Sequence, residues 1–337
     1  MQRFGQTADG ELVEKLTISG GGLTASVISW GAALQDLRLE GHPPPLVLGF
    51  EGFDDYAAHS PHFGAIAGRY ANRIRQGRFA IDGERFQADT NFLGRHLLHG
   101  GSAGTGKRVW TVEDHGTDFV RLGYLAGDGE MGFPGALALT CTYRTLDGGR
   151  LAIELTGETD APTLCNLAHH SYFNLDDGGR SPVLDHRLQI SADAWLPVDD
   201  ELIPTGRVVP VEGTPFDFRQ PRRIGDGGAQ SYDHNFCLSA GRVPLRRVAR
   251  LEAARSGLAM ETWTTEPGIQ FYDGARVARD VPGLGGVSYG AHAGLCLEPQ
   301  IWPDSPNRPY FPQAVLRPGE TYRQVTEYRF SAARRAG

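Results

Sequence analysis

Glu298 closes the apolar run Leu295-Cys296-Leu297 and is followed by Pro299. A carboxylate leaving an apolar strand is unusual unless it is paired or functional, and partial burial would lift its pKa toward the range of a general base. His169 and His170 stand in the run Asn166-Leu167-Ala168-His169-His170-Ser171-Tyr172-Phe173-Asn174. Neighbouring residues of a strand face opposite sides, so at most one of the two rings meets a given pocket. Histidine is the side chain suited to exchanging a proton near neutral pH. Taken alone, either ring reads equally as a hydrogen-bonded core or surface group.

Three other segments concentrate polar groups. In Gly68-Arg69-Tyr70-Ala71-Asn72-Arg73-Ile74 two arginines flank an amide. Arg73 can present a planar fork to a hydroxyl or a carboxylate, and for Arg69 a solvated loop and a ligand contact stay open. In His96-Leu97-Leu98-His99-Gly100-Gly101 the HxxH spacing lacks nearby third and fourth ligands, so a metal is not expected and His96 is read as structural. His99 abuts two glycines, which permit close approach of backbone or ligand. In Tyr232-Asp233-His234-Asn235-Phe236-Cys237 the aspartate is either a turn former or a hydroxyl acceptor. Trp302, beyond Glu298, is either a sugar-stacking surface or a core ring.

The elements that must carry these residues read as strands. Leu137, Leu139, Cys141 and Tyr143 alternate with Ala138, Thr140 and Thr142, and Leu151, Ile153 and Leu155 follow the turn Asp147-Gly148-Gly149. Two alternating runs about an Asp-Gly turn predict a hairpin. A second hairpin is predicted for Phe79-Ala80-Ile81 and Glu84-Arg85-Phe86 about Asp82-Gly83. Leu188 with Ile190, Leu258 with Met260, and Tyr328 with Phe330 continue the pattern, and no amphipathic helix of three or more turns is found. The fold class is therefore all-β: a large antiparallel β-sandwich forming one domain over residues 1–337, with a loosely held tail from Ala332 to Gly337. No linker or short repeat divides the chain.

Composition bounds the partners. The net charge of −7 comes without a basic block, which excludes nucleic acid as an expected partner. No apolar stretch is long enough to span a bilayer, and the N-terminus lacks the apolar core of a signal peptide, so a cytoplasmic location and no membrane contact are expected. Cys141, Cys165, Cys237 and Cys296 lie far apart and are expected to be reduced and buried. No coiled coil or interface stripe is visible, so a monomer or weak homodimer is expected.

In their order as well as their content, the five segments resemble the aldose 1-epimerase, or galactose mutarotase, family. Gly129-Glu130-Met131-Gly132-Phe133-Pro134-Gly135, Leu196-Pro197-Val198-Asp199 with Ile203-Pro204-Thr205-Gly206, and Pro267-Gly268-Ile269-Gln270-Phe271-Tyr272 extend the similarity from about Phe63 to about Phe330. The resemblance implies a galactose mutarotase-like supersandwich with a sugar cleft and a monosaccharide substrate. It implies Glu298 as base, His170 as acid and His99 as a second active-site histidine. Asn72, Arg73, Asp233 and Gln270 fall on positions that hold sugar hydroxyls or orient the catalytic pair. The chemistry implied is anomer exchange, in which carboxylate and imidazolium open the ring hemiacetal without cofactor or metal. The chain departs from the family at Ala168-His169, where Thr-Asn is frequent, at Met131, where an acidic residue is frequent, and at Glu266, where Gln is common. Rival readings are a hexose-6-phosphate 1-epimerase, which would need an anion site, a glycoside hydrolase using Asp233 and Glu298, a non-catalytic sugar-binding sandwich, and a structural protein.

Overall fold

The computed structural model describes residues 1–332. The expected loose tail lies outside the described residues except for Ala332, which still pairs with Leu258.

Alternation builds the sheets as the pattern predicts. In the strand Leu137–Leu146 the residues Leu137, Leu139, Cys141 and Tyr143 are buried, as are Leu151, Ile153 and Leu155 in Arg150–Thr159. The two strands pair antiparallel from Leu137↔Thr159 to Leu146↔Arg150, across a turn in which Gly148 and Gly149 take φ of 76° and 68°. The smaller hairpin pairs Phe79 with Phe86 about Asp82-Gly83, both at positive φ, the signature of a tight hairpin turn. Its two phenylalanines stack with centroids 5.4 Å apart.

Nine strands form the larger sheet, in the spatial order Thr111–His115, Phe119–Ala126, Leu137–Leu146, Arg150–Thr159, Tyr322–Ala332, Leu258–Thr264, Arg246–Glu252, Arg187–Ile190 and Arg222–Arg223. A six-stranded sheet runs Tyr172–Phe173, Leu295–Gln300, Gly268–Tyr272, Asp233–Cys237, Ala194–Trp195 and Val209–Pro210. The facing sides share one apolar core, with Leu139, Cys141, Leu155 and Tyr328 from the first and Phe173, Phe271, Leu295 and Leu297 from the second. Each such Leu or Phe stabilises the fold by about 1.5–3 kcal/mol. A four-stranded sheet over residues 2–39 completes the sandwich. Among the described residues the one α-helix is Phe53–His59, and no helix is long and apolar enough to cross a membrane.

Candidate active site

The six-stranded sheet is covered on both faces, and its pleat sorts side chains between them. In Leu295–Gln300, Leu295 and Leu297 enter the shared core, while Cys296 and Glu298 point to the other side. Glu298 pairs across the ladder with Gln270, which pairs with Asn235. Cys296 pairs with Tyr172 and with Tyr272, which pairs with Asp233. Three adjacent strands thus bring Glu298, Gln270, Tyr272 and Asp233 to the floor of a cleft of about 340 Å³. That volume is at the small end of ligand pockets and suits one monosaccharide. Asp233 sits at the start of its strand and lines the cleft, so it is not a turn former.

Loops supply the other wall. His170 follows the two-residue strand Ala168–His169, and its backbone is clamped on both sides: its N–H donates to the Ala65 carbonyl (2.9 Å) and its carbonyl accepts from Gly64 (3.0 Å). His170 Nε2 lies 3.7 Å from Glu298 Oε2. His169 faces away, with ring nitrogens near the hydroxyls of Tyr328 (3.3 Å) and Ser171 (3.0 Å), as opposite-facing neighbours should. The Asn72 carboxamide oxygen accepts from the Arg73 backbone N–H (2.9 Å) and guanidinium (3.3 Å). Arg73 in turn reaches Asp233 Oδ2 at 3.0 Å, and Gln270 donates to Asp233 Oδ1 at 2.6 Å. His99 binds back to Asn72 twice: its N–H donates to the Asn72 carbonyl, and its Nδ1 accepts from the Asn72 N–H at 3.2 Å. The glycine after His99 is required by backbone, not ligand: a Cβ on Gly100 would lie 1.7 Å from the Gly68 carbonyl oxygen. All seven residues singled out in the sequence line this cleft: His99, His170, Glu298, Asn72, Arg73, Asp233 and Gln270.

Burial dominates the electrostatics. It pushes His170 down to about 4 and holds His99 well below the ordinary imidazole range, helped there by His62, His170 and Arg73. Burial, and then the charge of Asp233, lift Glu298 well above the usual carboxylate range. Desolvation of both groups thus works against the carboxylate–imidazolium form expected from the sequence and favours a carboxylic acid beside a neutral imidazole. Asp233 goes the other way: burial raises it, but Arg73 and the Gln270 hydrogen bond outweigh this and keep it ionised. Glu298 Oε2 and Gln270 Oε1 are buried without a hydrogen-bond partner among the described residues. Such atoms are costly unless a ligand hydroxyl meets them.

Ligand atoms of His99, His170 and Glu298 lie within 4.8 Å of one another, a spacing that could suit a metal. The Asn72 N–H, however, occupies the lone pair of His99 Nδ1, which puts the ring proton on Nε2. Neither nitrogen of His99 then has a free lone pair. It is set up as a hydrogen-bond donor, not as a ligand.

The family model for aldose 1-epimerase matches residues 14–329. The chain belongs to the aldose 1-epimerase family. It is 43% identical to a galactose mutarotase of Mus musculus over 98% of each chain, and 37% identical to an aldose 1-epimerase of Escherichia coli over 96% of this chain and 97% of the other. A solved aldose epimerase homologue from C. elegans superposes with a TM-score of 0.88 at 31% identity, covering 96% of this chain and all of the other.

Several residues that caught attention in the sequence serve this epimerase-family fold elsewhere. Arg69 is neither solvated nor in the cleft: its buried guanidinium donates to the carbonyls of Gly127, Pro134 and Gly135 and to the Thr163 hydroxyl. His96 is structural, accepting from the Gln76 N–H and meeting Glu201 at 3.0 Å. Trp302 packs on Phe311 and donates to the Pro267 carbonyl, so it is a core ring. The departures at Ala168-His169, Met131 and Glu266 do not line the cleft; the buried Glu266 pairs with the more exposed Arg242 at 2.7 Å. Sequence reasoning missed His62, Tyr172, Tyr272, Arg276 and Arg279, which do line it. Arg279 is occupied by the carbonyls of His59, Arg276 and Ala278. His62 stands one residue before the resemblance begins, and the Pro61-His62-Phe63 context gave no motif to find it by.

Proposed function

We propose that this chain is an aldose 1-epimerase that exchanges the α and β anomers of free aldoses, with Glu298 and His170 as its proton-transferring pair. Opening a pyranose hemiacetal requires one proton to leave the anomeric hydroxyl and one to reach the ring oxygen. Moving both together avoids a free alkoxide or oxocarbenium ion. With its own proton first passed to His170, Glu298 takes the proton from O1 as His170 delivers one to O5. Once the ring is open, the pair consists of a carboxylic acid and a neutral imidazole, the form that burial favours. The aldehyde turns about C1–C2 and recloses from its other face, and both protons return. The ionic and neutral pairs carry the same number of protons, so neither direction needs exchange with solvent.

Arg73, braced by Asn72 and Asp233, holds the sugar with Gln270, and His99 donates to developing charge on a sugar oxygen. Such positioning lowers the barrier by removing the freedom of the bound ring. The observation that carries the reading is the 3.7 Å approach of His170 to Glu298 in a cleft of monosaccharide size. We take the chain as one domain, acting as a monomer or weak homodimer in the cytoplasm, where its four cysteines are free. A polarimetric time course on pure α-anomers of galactose, glucose, xylose and arabinose tests the function. Catalysed relaxation to the anomeric equilibrium is expected, and its absence for every free aldose refutes the reading. Glucose 6-phosphate in the same assay separates free from phosphorylated substrate.

A further inference from the structure

His62 belongs to none of the segments that carry the family resemblance, yet its ring stands beside both histidines of the cleft. Its centroid is 4.8 Å from that of His99 and 5.7 Å from that of His170. Its backbone takes φ of +68°, a left-handed conformation uncommon for any residue but glycine. Asn72 and His99, two residues of the same cleft, share that conformation at 63° and 49°. Such outliers persist only where the surroundings over-determine them, and they gather at ligand sites. The segment is pinned accordingly: the Phe63 N–H donates to Ser60 Oγ and the Ala65 N–H to the His62 carbonyl. Among the described residues, no hydrogen bond engages either nitrogen of the His62 ring. A neutral imidazole carries one donor and one acceptor nitrogen, and either can meet a sugar hydroxyl.

We infer that His62 is a substrate-contacting, specificity-determining residue: one of its ring nitrogens receives a hydroxyl of the bound aldose on the wall formed with His99 and His170. Burial, and after it the charges of His170 and Lys107, hold His62 near 3, so it stays neutral across the working range and moves no proton itself. Asp233 and Gln270 grip the sugar from the floor and Arg73 from the wall, and His62 reads a hydroxyl they do not. A polar group left unpaired by the wrong sugar discriminates strongly, which is how one ring can separate aldoses differing at a single carbon.

The inference rests on the epimerase reading, and a substrate series keeps the two separable. Wild-type enzyme is first assayed on galactose, glucose, xylose and arabinose; lack of turnover on all four sinks that reading, and the aldose turned over best serves as the parent sugar. His62→Phe, which keeps the ring volume, is then compared with wild type on the parent sugar and its 2-, 3-, 4- and 6-deoxy analogues. The expected result is a KM about tenfold higher on the parent sugar with kcat within about twofold. That penalty should vanish for one deoxy sugar only, the one lacking the hydroxyl read. His62→Asn, which tolerates the left-handed backbone and keeps a donor and an acceptor, is expected to recover part of the lost affinity, and it carries the same comparison if the Phe variant does not fold. An equal penalty on every analogue, no penalty at all, or a collapse of kcat at unchanged KM overturns the assignment.

Discussion

Glu298 shows how much a single residue reveals before a structure is known. An acidic side chain at the end of Leu295-Cys296-Leu297 is a local contradiction, and the structure resolves it by burying the group on the cleft side of a strand covered on both faces. His170 was less legible. Its neighbour His169 has the same chemistry and similar burial, so residue type alone does not separate them; the resemblance implies His170, and the packing of Tyr328 and Ser171 around the His169 ring leaves His170 to the cleft. Replacing Glu298 by Gln keeps shape and removes the proton acceptor, so mutarotation measured by polarimetry should fall by about 10²- to 10⁴-fold while the melting temperature holds or rises. A near-wild-type rate would exclude the assigned role. The pH profile follows from the pair. Below about pH 4 His170 gains a second proton for the pair, and above the raised value of Glu298 the transferable proton is lost. The profile of kcat/KM should therefore be a plateau wider than an exposed Glu–His pair would give, with its acid limb near pH 4 and its alkaline limb displaced upward. An alkaline limb at the ordinary histidine value near 6.5 would contradict the burial argument.

At the level of elements, strands of ten residues declared themselves and strands of two did not. Leu137–Leu146 shows five alternations and Arg150–Thr159 four, enough for the pleat to be read. Ile66–Ala67, Arg73–Ile74, Leu97–Leu98 and Ala168–His169 are two residues long and have no periodicity to show. They exist because distant partners complete them, as Leu98 does for Arg73 and Ile66 for His169. These short pieces carry Arg73, His99 and His170, so the wall of the site was legible by motif and not by secondary structure. The turn after His99 is the element whose failure would be most instructive. Gly100→Ala adds a methyl at φ of +81° against the Gly68 carbonyl, forcing the loop to shift. The expected outcome is a lower melting temperature and a lower kcat/KM, because His99 loses its place against Asn72. Full activity with unchanged stability would show that the loop is looser than this packing requires.

On the scale of the molecule, burial of uncharged histidines couples stability to acid. His62 and His169 are held near 3, and His170 and His186 near 4, in each case chiefly by desolvation. Between those values and about 6.5 the unfolded chain binds protons that the folded chain refuses, so stability rises with pH through that window and is lost as pH falls through it. Thermal melts from pH 7 to pH 4.5 should show a steady decline that begins near pH 6.5, above the range in which exposed carboxylates titrate. A flat melting temperature down to pH 5 would refute it. The sequence by itself determined the fold class, the hairpins about Asp-Gly turns, and the identity of the cleft residues, because pleating and turn chemistry are local and motif order survives without coordinates. Only the tertiary structure decided the order of the nine strands, the burial that shifts the Glu298–His170 pair, and the arrival of His62 beside His99. Each depends on which distant surfaces meet and exclude water, and nothing within a short stretch of chain encodes that.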